Sequence, residues 1–119
     1  MKNSSSRIVE ILEATARSGG TSSYRELADT AEIPSPHRIQ SVTQMLEDRI
    51  RADHANGRPL LAVVAVSRSG DGLPGAGFFH LCTEIGLYFG PDHGPQAKLF
   101  HTFELQRLHA YSSVDGNRH

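Results

Sequence analysis

Apolar positions recur at helical spacing in three successive segments at the start of the chain. Ile8, Val9, Ile11, Leu12 and Ala16 follow a serine-rich start and stop at Gly19-Gly20. That pattern predicts a first helix of about three turns, closed by a glycine cap. In Ser23-Tyr24-Arg25-Glu26-Leu27-Ala28, Ser23 and Glu26 have capping-box spacing, and Leu27 shares a face with Ala31. A second helix over 24–31 follows. Ile33-Pro34-Ser35-Pro36 stops it, and a third helix runs from Pro36 toward His54 before Asn56-Gly57. Its inward stripe is Ile39, Val42, Leu46 and Ile50, with Thr43 on the flank.

The pattern then changes period. Residues 60–66 form a short, valine-rich, continuous apolar run after Arg58-Pro59, which predicts a buried strand. Arg68-Ser69-Gly70-Asp71-Gly72 supplies turn residues, and 73–79 can return toward the sheet. Three helices, a strand, a turn and a return make an α+β winged helix-turn-helix with a short β-hairpin wing. Leu81, Ile85 and Tyr88 favour a helix within 80–89, and Gly90 to Pro95 is a loop. Ala97, Phe100, Phe103, Leu105, Leu108 and Tyr111 describe a last amphipathic helix. The expected organisation is one domain over 1–111 and a loose tail over 112–119.

Charge limits how such a chain meets a polyanion. The formal net charge is -1, so broad attachment through many Lys and Arg contacts is excluded and any nucleic-acid binding is local. Seven histidines would make the chain more basic near or below about pH 6.5. No apolar run reaches membrane-spanning length, and the start leads into no signal-type region, so the expected location is the cytoplasm, with no membrane partner. Cys82 is the single cysteine, so no internal disulfide forms.

With the core stripe of the third helix inward, His37, Ser41, Gln44, Asp48 and Arg51 fall near the opposite face, with Arg38 and Gln40 on its shoulders. Gln pairs with adenine, Arg with guanine, and Ser or His with bases or phosphates, so the leading half suits a major-groove edge. His37 and Arg38 put cations where the helix dipole disfavours them, a conflict that a phosphate would relieve. Arg68 would touch the phosphate backbone from the wing, with Thr21, Ser22 and Arg25 as further backbone contacts at the entry to the second helix.

These residues carry a resemblance. Ser23-Tyr24-Arg25-Glu26-Leu27-Ala28, His37-Arg38-Ile39 and the segment from Pro59 to Gly72 resemble the DNA-binding domain of alkyltransferases and alkyltransferase-like proteins over about half the chain. The resemblance implies a winged-helix fold, with Tyr24 at the backbone beside a flipped nucleotide and Arg38 filling the gap in the stack. The family's reactive Pro-Cys-His-Arg should fall near Val63 to Val66, where neither cysteine nor histidine stands, so alkyl transfer is rejected. The chain is also similar to small uncharacterised bacterial proteins in which Pro-Leu-x-Ala-x-Val leads to Gly-Leu-Pro-Gly-x-Gly-Phe, matched by Pro59 to Val64 and Gly72 to Phe78.

Other chemistry is weaker. His80, Cys82, His93 and His101 lack the tight ligand pairs of structural zinc sites, and no nucleophile elbow or phosphate-loop ending is present, so neither metal, cofactor nor enzymatic activity is expected. The last helix carries more apolar surface than a three-helix core needs, which suggests either a cap on the core or a homodimer contact. The expected function is a non-enzymatic duplex-DNA-binding protein, a small regulator or DNA-structure-binding accessory factor, acting through Tyr24, Arg25, His37, Arg38, Gln40, Ser41, Gln44 and Arg68. The alternative is a protein-protein interaction module on the same scaffold. Acids interrupting a strip from Arg25 through Arg38 to Arg68, together with an apolar patch near Phe100 or Phe103, would favour that alternative.

Overall fold

Asn3 opens the first helix by accepting the Ser6 N–H on its side-chain oxygen at 2.8 Å. The computed structural model describes residues 3–68 and 72–116, the stretch 112–116 by backbone alone. Along it run α1 (Ser4–Ser18), β1 (Ser22–Ser23), α2 (Tyr24–Thr30), α3 (Arg38–Ala55), a 3-10 turn (Leu61–Val64), β2 (Ala65–Val66), α4 (Ala76–Glu84) and α5 (Gly94–Gly116). Gly19 closes α1 at φ 74, and its N–H and that of Gly20 return to the Ala16 and Thr15 carbonyls. A side chain would be strained in that left-handed conformation. α1 buries Ile8, Leu12 and Ala16, one residue per turn of the same face.

The expected capping box of α2 is present in both halves: Ser23 Oγ accepts the Glu26 N–H and Glu26 Oε1 accepts the Ser23 N–H, each at 3.0 Å. Leu27, Ala28, Ala31 and Ile33 carry this turn into the core. α3 begins after His37, which is left-handed at φ 63 and offers no side-chain cap. Val42, Leu46 and Ile50 are buried as the periodicity requires, and Asp53 extends the stripe by one turn. Ile39 does not join it: the residue is 45% exposed, one turn outside the packed part of the helix.

The winged-helix expectation is overturned. Among the described residues the fold is mainly helical, and its strands are a two-residue parallel pair with Ser22 opposite Ala65 and Ser23 opposite Val66. Residues 60–65 are buried as expected and Val66 is half-buried, but most of the segment coils into the 3-10 turn. The reason lies in its backbone partners. The Leu61 N–H donates to the Asp53 carboxylate at 3.0 Å, and the Val63 carbonyl accepts from His101 Nε2 at 2.8 Å. Groups that a strand would offer to a neighbour are thus taken by side chains.

The return strand fails for a similar reason. The Ser67 N–H reaches the Leu73 carbonyl at 2.8 Å, but Pro74 has no N–H and the Gly75 N–H donates to the Tyr24 hydroxyl oxygen at 2.6 Å. α4 then starts at Ala76, earlier than the helix expected within 80–89, and the turn expected at Ser69 to Asp71 lies outside the described residues.

The 3-10 turn is the hub, touching α1, α3 and α5. α5 seals the far side, and its rotation differs from the expected stripe. Ala97, His101, Glu104 and Leu108 face inward, whereas Phe103 and Tyr111 stand outside. Phe100 fixes this setting by stacking on Tyr88 at 4.6 Å between ring centroids, within a cluster that includes Phe78 and Phe79. The helix continues to Gly116, past the point where a tail was expected.

Candidate functional site

α2 and α3 are joined by the turn 31–37, and the polar edge they share can be followed residue by residue. Arg38 does not reach outward. Its Nε–H donates to the Ile33 carbonyl at 2.8 Å and its guanidinium pairs with Asp29 at 2.9 Å, so the side chain ties the turn to α2. His37 and Gln40 are exposed, and Ser41 is half-buried. Gln44 is exposed but donates its amide to Asp48 at 3.0 Å. To meet a phosphate, Arg38 would have to leave a carbonyl and a carboxylate.

The remaining candidates gather at the other end of α2. Arg25 is exposed. Arg68, exposed two residues beyond β2, lies close enough to α2 to act on Glu26. The Glu26 carboxyl is held below its usual value chiefly by the Ser23 backbone N–H, next by the Ser23 hydroxyl, with a smaller pull from the Arg68 charge. Tyr24 is half-buried, its hydroxyl occupied by Gly75, and burial pushes its phenol up, partly opposed by that bond. A Cβ at Gly75 would lie 3.3 Å from the Tyr24 ring, so glycine there permits the contact. Five candidates, Arg25, His37, Gln40, Gln44 and Arg68, are therefore exposed, and three, Tyr24, Arg38 and Ser41, are partly enclosed. Glu26 and Asp29 stand on α2 between the two groups of cations, so the positive strip is interrupted.

A second surface was not singled out residue by residue from the sequence. At about 100° per residue, Leu99, Phe103, Gln106 and Ala110 lie directly opposite the buried stripe Ala97, His101, Glu104 and Leu108. Leu99 is 60% and Phe103 58% exposed. Phe89, in the loop before the helix, is 74% exposed, and its carbonyl accepts from the Gln96 amide at 3.1 Å. Beside the stripe, a cleft of about 540 Å³ opens between the end of α1 and α5, with Gly19, Gly20, Leu105, Gln106, His109 and Ala110 among its walls. The 3-4-3-4 spacing of Gln96, Leu99, Phe103, Gln106 and Ala110 was the available signal; the nearer apolar positions Phe100, Leu105 and Leu108 masked it.

The polar interior also escaped sequence reading. Asp53 accepts from Arg49 and Arg58, and Glu104 from Arg107, each within 3.1 Å. Burial pushes the His101 imidazole below its usual value, with the bond to Val63 in partial opposition. Cys82 is buried, and desolvation, with the Glu104 charge adding, pushes its thiol up to about 12, so it is no activated thiolate. His80 and His93 meet on the Asp92 carboxylate at 2.9 Å each, apart from Cys82 and His101 in their bonding. Among the described residues no three such groups converge as metal ligands. No described helix is long and apolar enough to cross a membrane. No protein-family model, curated protein or solved structure matches the chain.

Proposed function

We propose that the chain is a non-enzymatic, cytoplasmic protein-binding module whose docking element is the outer face of α5. The observation that carries this reading is the exposure of Leu99 and Phe103 one turn apart, on the side of the helix opposite its buried stripe. Together they present on the order of 200 Å² of apolar surface on one helix face, and contiguous exposed apolar surface is commonly functional. The neutralised Arg38 and the acids on α2 weigh on the same side, since they weaken the competing surface. A pull-down from extract of the source cell, with nuclease present, tests the proposal. Protein should be retained by the wild type and lost with Leu99→Glu and Phe103→Glu together. Retention that vanishes with nuclease, or survives both substitutions, overturns it.

A second reading, duplex-DNA binding through α2 and α3, is favoured by the exposure of His37 at the N-cap of α3 and of Gln40 and Gln44 on its leading half, with Arg25 and Arg68 exposed at the far end of α2. In a low-salt anisotropy titration, this reading requires that Gln40→Ala with Gln44→Ala weaken binding and that Arg25→Ala reduce its salt dependence.

A further inference from the structure

We infer that the occupant of the α5 face is a second copy of this chain, docked with the two α5 helices parallel about a two-fold axis. The inference rests on the reading of α5 as the docking element and names its partner. Three observations carry it.

The first is charge. The stripe Gln96, Leu99, Phe103, Gln106 and Ala110 contains no ionisable side chain, and the cleft beside it adds only His109, so two copies can face each other without burying a carboxylate, ammonium or guanidinium group. The cations beside it, Lys98 and Arg107, fall on opposite flanks and about 13 Å apart along the axis. Arg107 is in addition paired with Glu104 at 3.0 Å. Neither cation meets its own counterpart in the parallel arrangement.

The second is shape. Phe103 stands toward one flank of the stripe, and the cleft of about 540 Å³ opens on the other, sharing Gln106 and Ala110 with the stripe. A two-fold axis parallel to the helices brings the Phe103 flank of one copy against the cleft flank of the other. Each Phe103 then enters the partner's cleft, and the same surface serves both protomers, as an isologous contact requires. An antiparallel pair would instead set cleft against cleft and Phe103 against Phe103.

The third is size. The stripe runs about 21 Å from Gln96 to Ala110 at the helical rise. Together with the cleft walls it would bury roughly 600 Å² per copy, at the lower end of specific interfaces, which suits a reversible dimer with Kd on the order of 10 µM.

Sedimentation equilibrium on the full chain between about 1 and 300 µM reads this directly. The mass should rise from 13.0 kDa toward twice that value. Phe103→Glu should stay monomeric at every concentration, with the helical content of the wild type and the melting temperature that the wild type shows well below the Kd, because the side chain is exposed. Gln106→Cys, which parallel docking sets beside its own copy, should form a disulfide-linked dimer under mild oxidation, while buried Cys82 in the wild type forms none. A wild type that remains monomeric at the highest concentration overturns the inference, as does a dimer indifferent to Phe103→Glu. If the monomeric protein still retains another protein from extract through Leu99 and Phe103, the docking face stands and only the second copy falls. If retention is indifferent to those residues, the docking face falls as well.

Discussion

Replacing Asp53 should unfold this domain more readily than any surface change. Its carboxylate is fully buried near the end of α3, yet accepts three hydrogen bonds: from Arg49 at 3.1 Å, Arg58 at 3.0 Å and the Leu61 N–H at 3.0 Å. The Arg58 N–H donates in addition to the Asp53 carbonyl at 2.8 Å, so one residue ties α3 to the entry of the 3-10 turn. In Asp53→Ala the two arginines, with side chains 27% and 36% exposed, can turn into water and cost about 1 kcal/mol each. The Leu61 N–H cannot, and an orphaned buried donor costs about 1–3 kcal/mol. The loss is therefore about 3–5 kcal/mol, a large share of a total of roughly 5–15 kcal/mol, and lowers the melting temperature by roughly 12–20 °C. Asp53→Asn keeps an acceptor for Leu61 but turns an amide donor toward a guanidinium, and should cost about half as much. Urea unfolding followed by circular dichroism measures both, with the slope unchanged. An Asp53→Ala protein within about 1 kcal/mol of the wild type would refute this role for the carboxylate, as would an Arg58→Ala protein that alone loses as much.

Two further outcomes are expected. His101, whose imidazole is held below its ordinary value by burial, binds more protons unfolded than folded, so stability should fall as the pH drops below about 6.5 and the decline should flatten in His101→Gln; equal slopes from pH 6.5 to 4.5 in the two proteins would refute it. Arg38→Ala should cost about 1–2 kcal/mol in thermal unfolding, because it frees the Ile33 carbonyl and Asp29 together, whereas a purely solvent-facing reader residue would cost nothing measurable.

What the sequence made legible was local. The Ser23-Glu26 box, the Gly19-Gly20 stop and the valine and leucine positions of α3 depend on neighbours within one or two turns, and each stands where the periodicity put it. The expected wing gives way because its backbone is claimed from far away. Asp53 reaches Leu61 across eight positions, Tyr24 reaches Gly75 across fifty-one, and His101 reaches Val63 across thirty-eight. A continuous valine-rich apolar run signals burial well, yet whether it extends or coils depends on which partners remain for its amides. The candidate edge fared similarly: exposure of His37, Gln40 and Gln44 followed from the helical stripe, whereas the diversion of Arg38 to Asp29 and Ile33 depended on the geometry of the turn.

The rotation of α5 bears on function through the same competition for partners. A half-turn about its axis would bury Leu99 and Phe103, each worth about 1.5–3 kcal/mol when fully removed from water, and release His101 and Glu104 to solvent. The observed setting forgoes that gain and holds two polar groups inside, which is tolerable only because Val63 and Arg107 satisfy them. Phe100 against Tyr88 and His101 against Val63 lock the helix in place, so the exposed apolar stripe is a fixed consequence of the core rather than a loosely packed edge. A fixed stripe needs no ordering of its backbone when it meets a partner, and the affinity it offers is correspondingly larger for its size. The edge of α2 and α3 has the opposite character at Arg38: a phosphate contact by this side chain requires it to leave bonds that hold the turn together, so each new bond it makes replaces one that stabilises the fold.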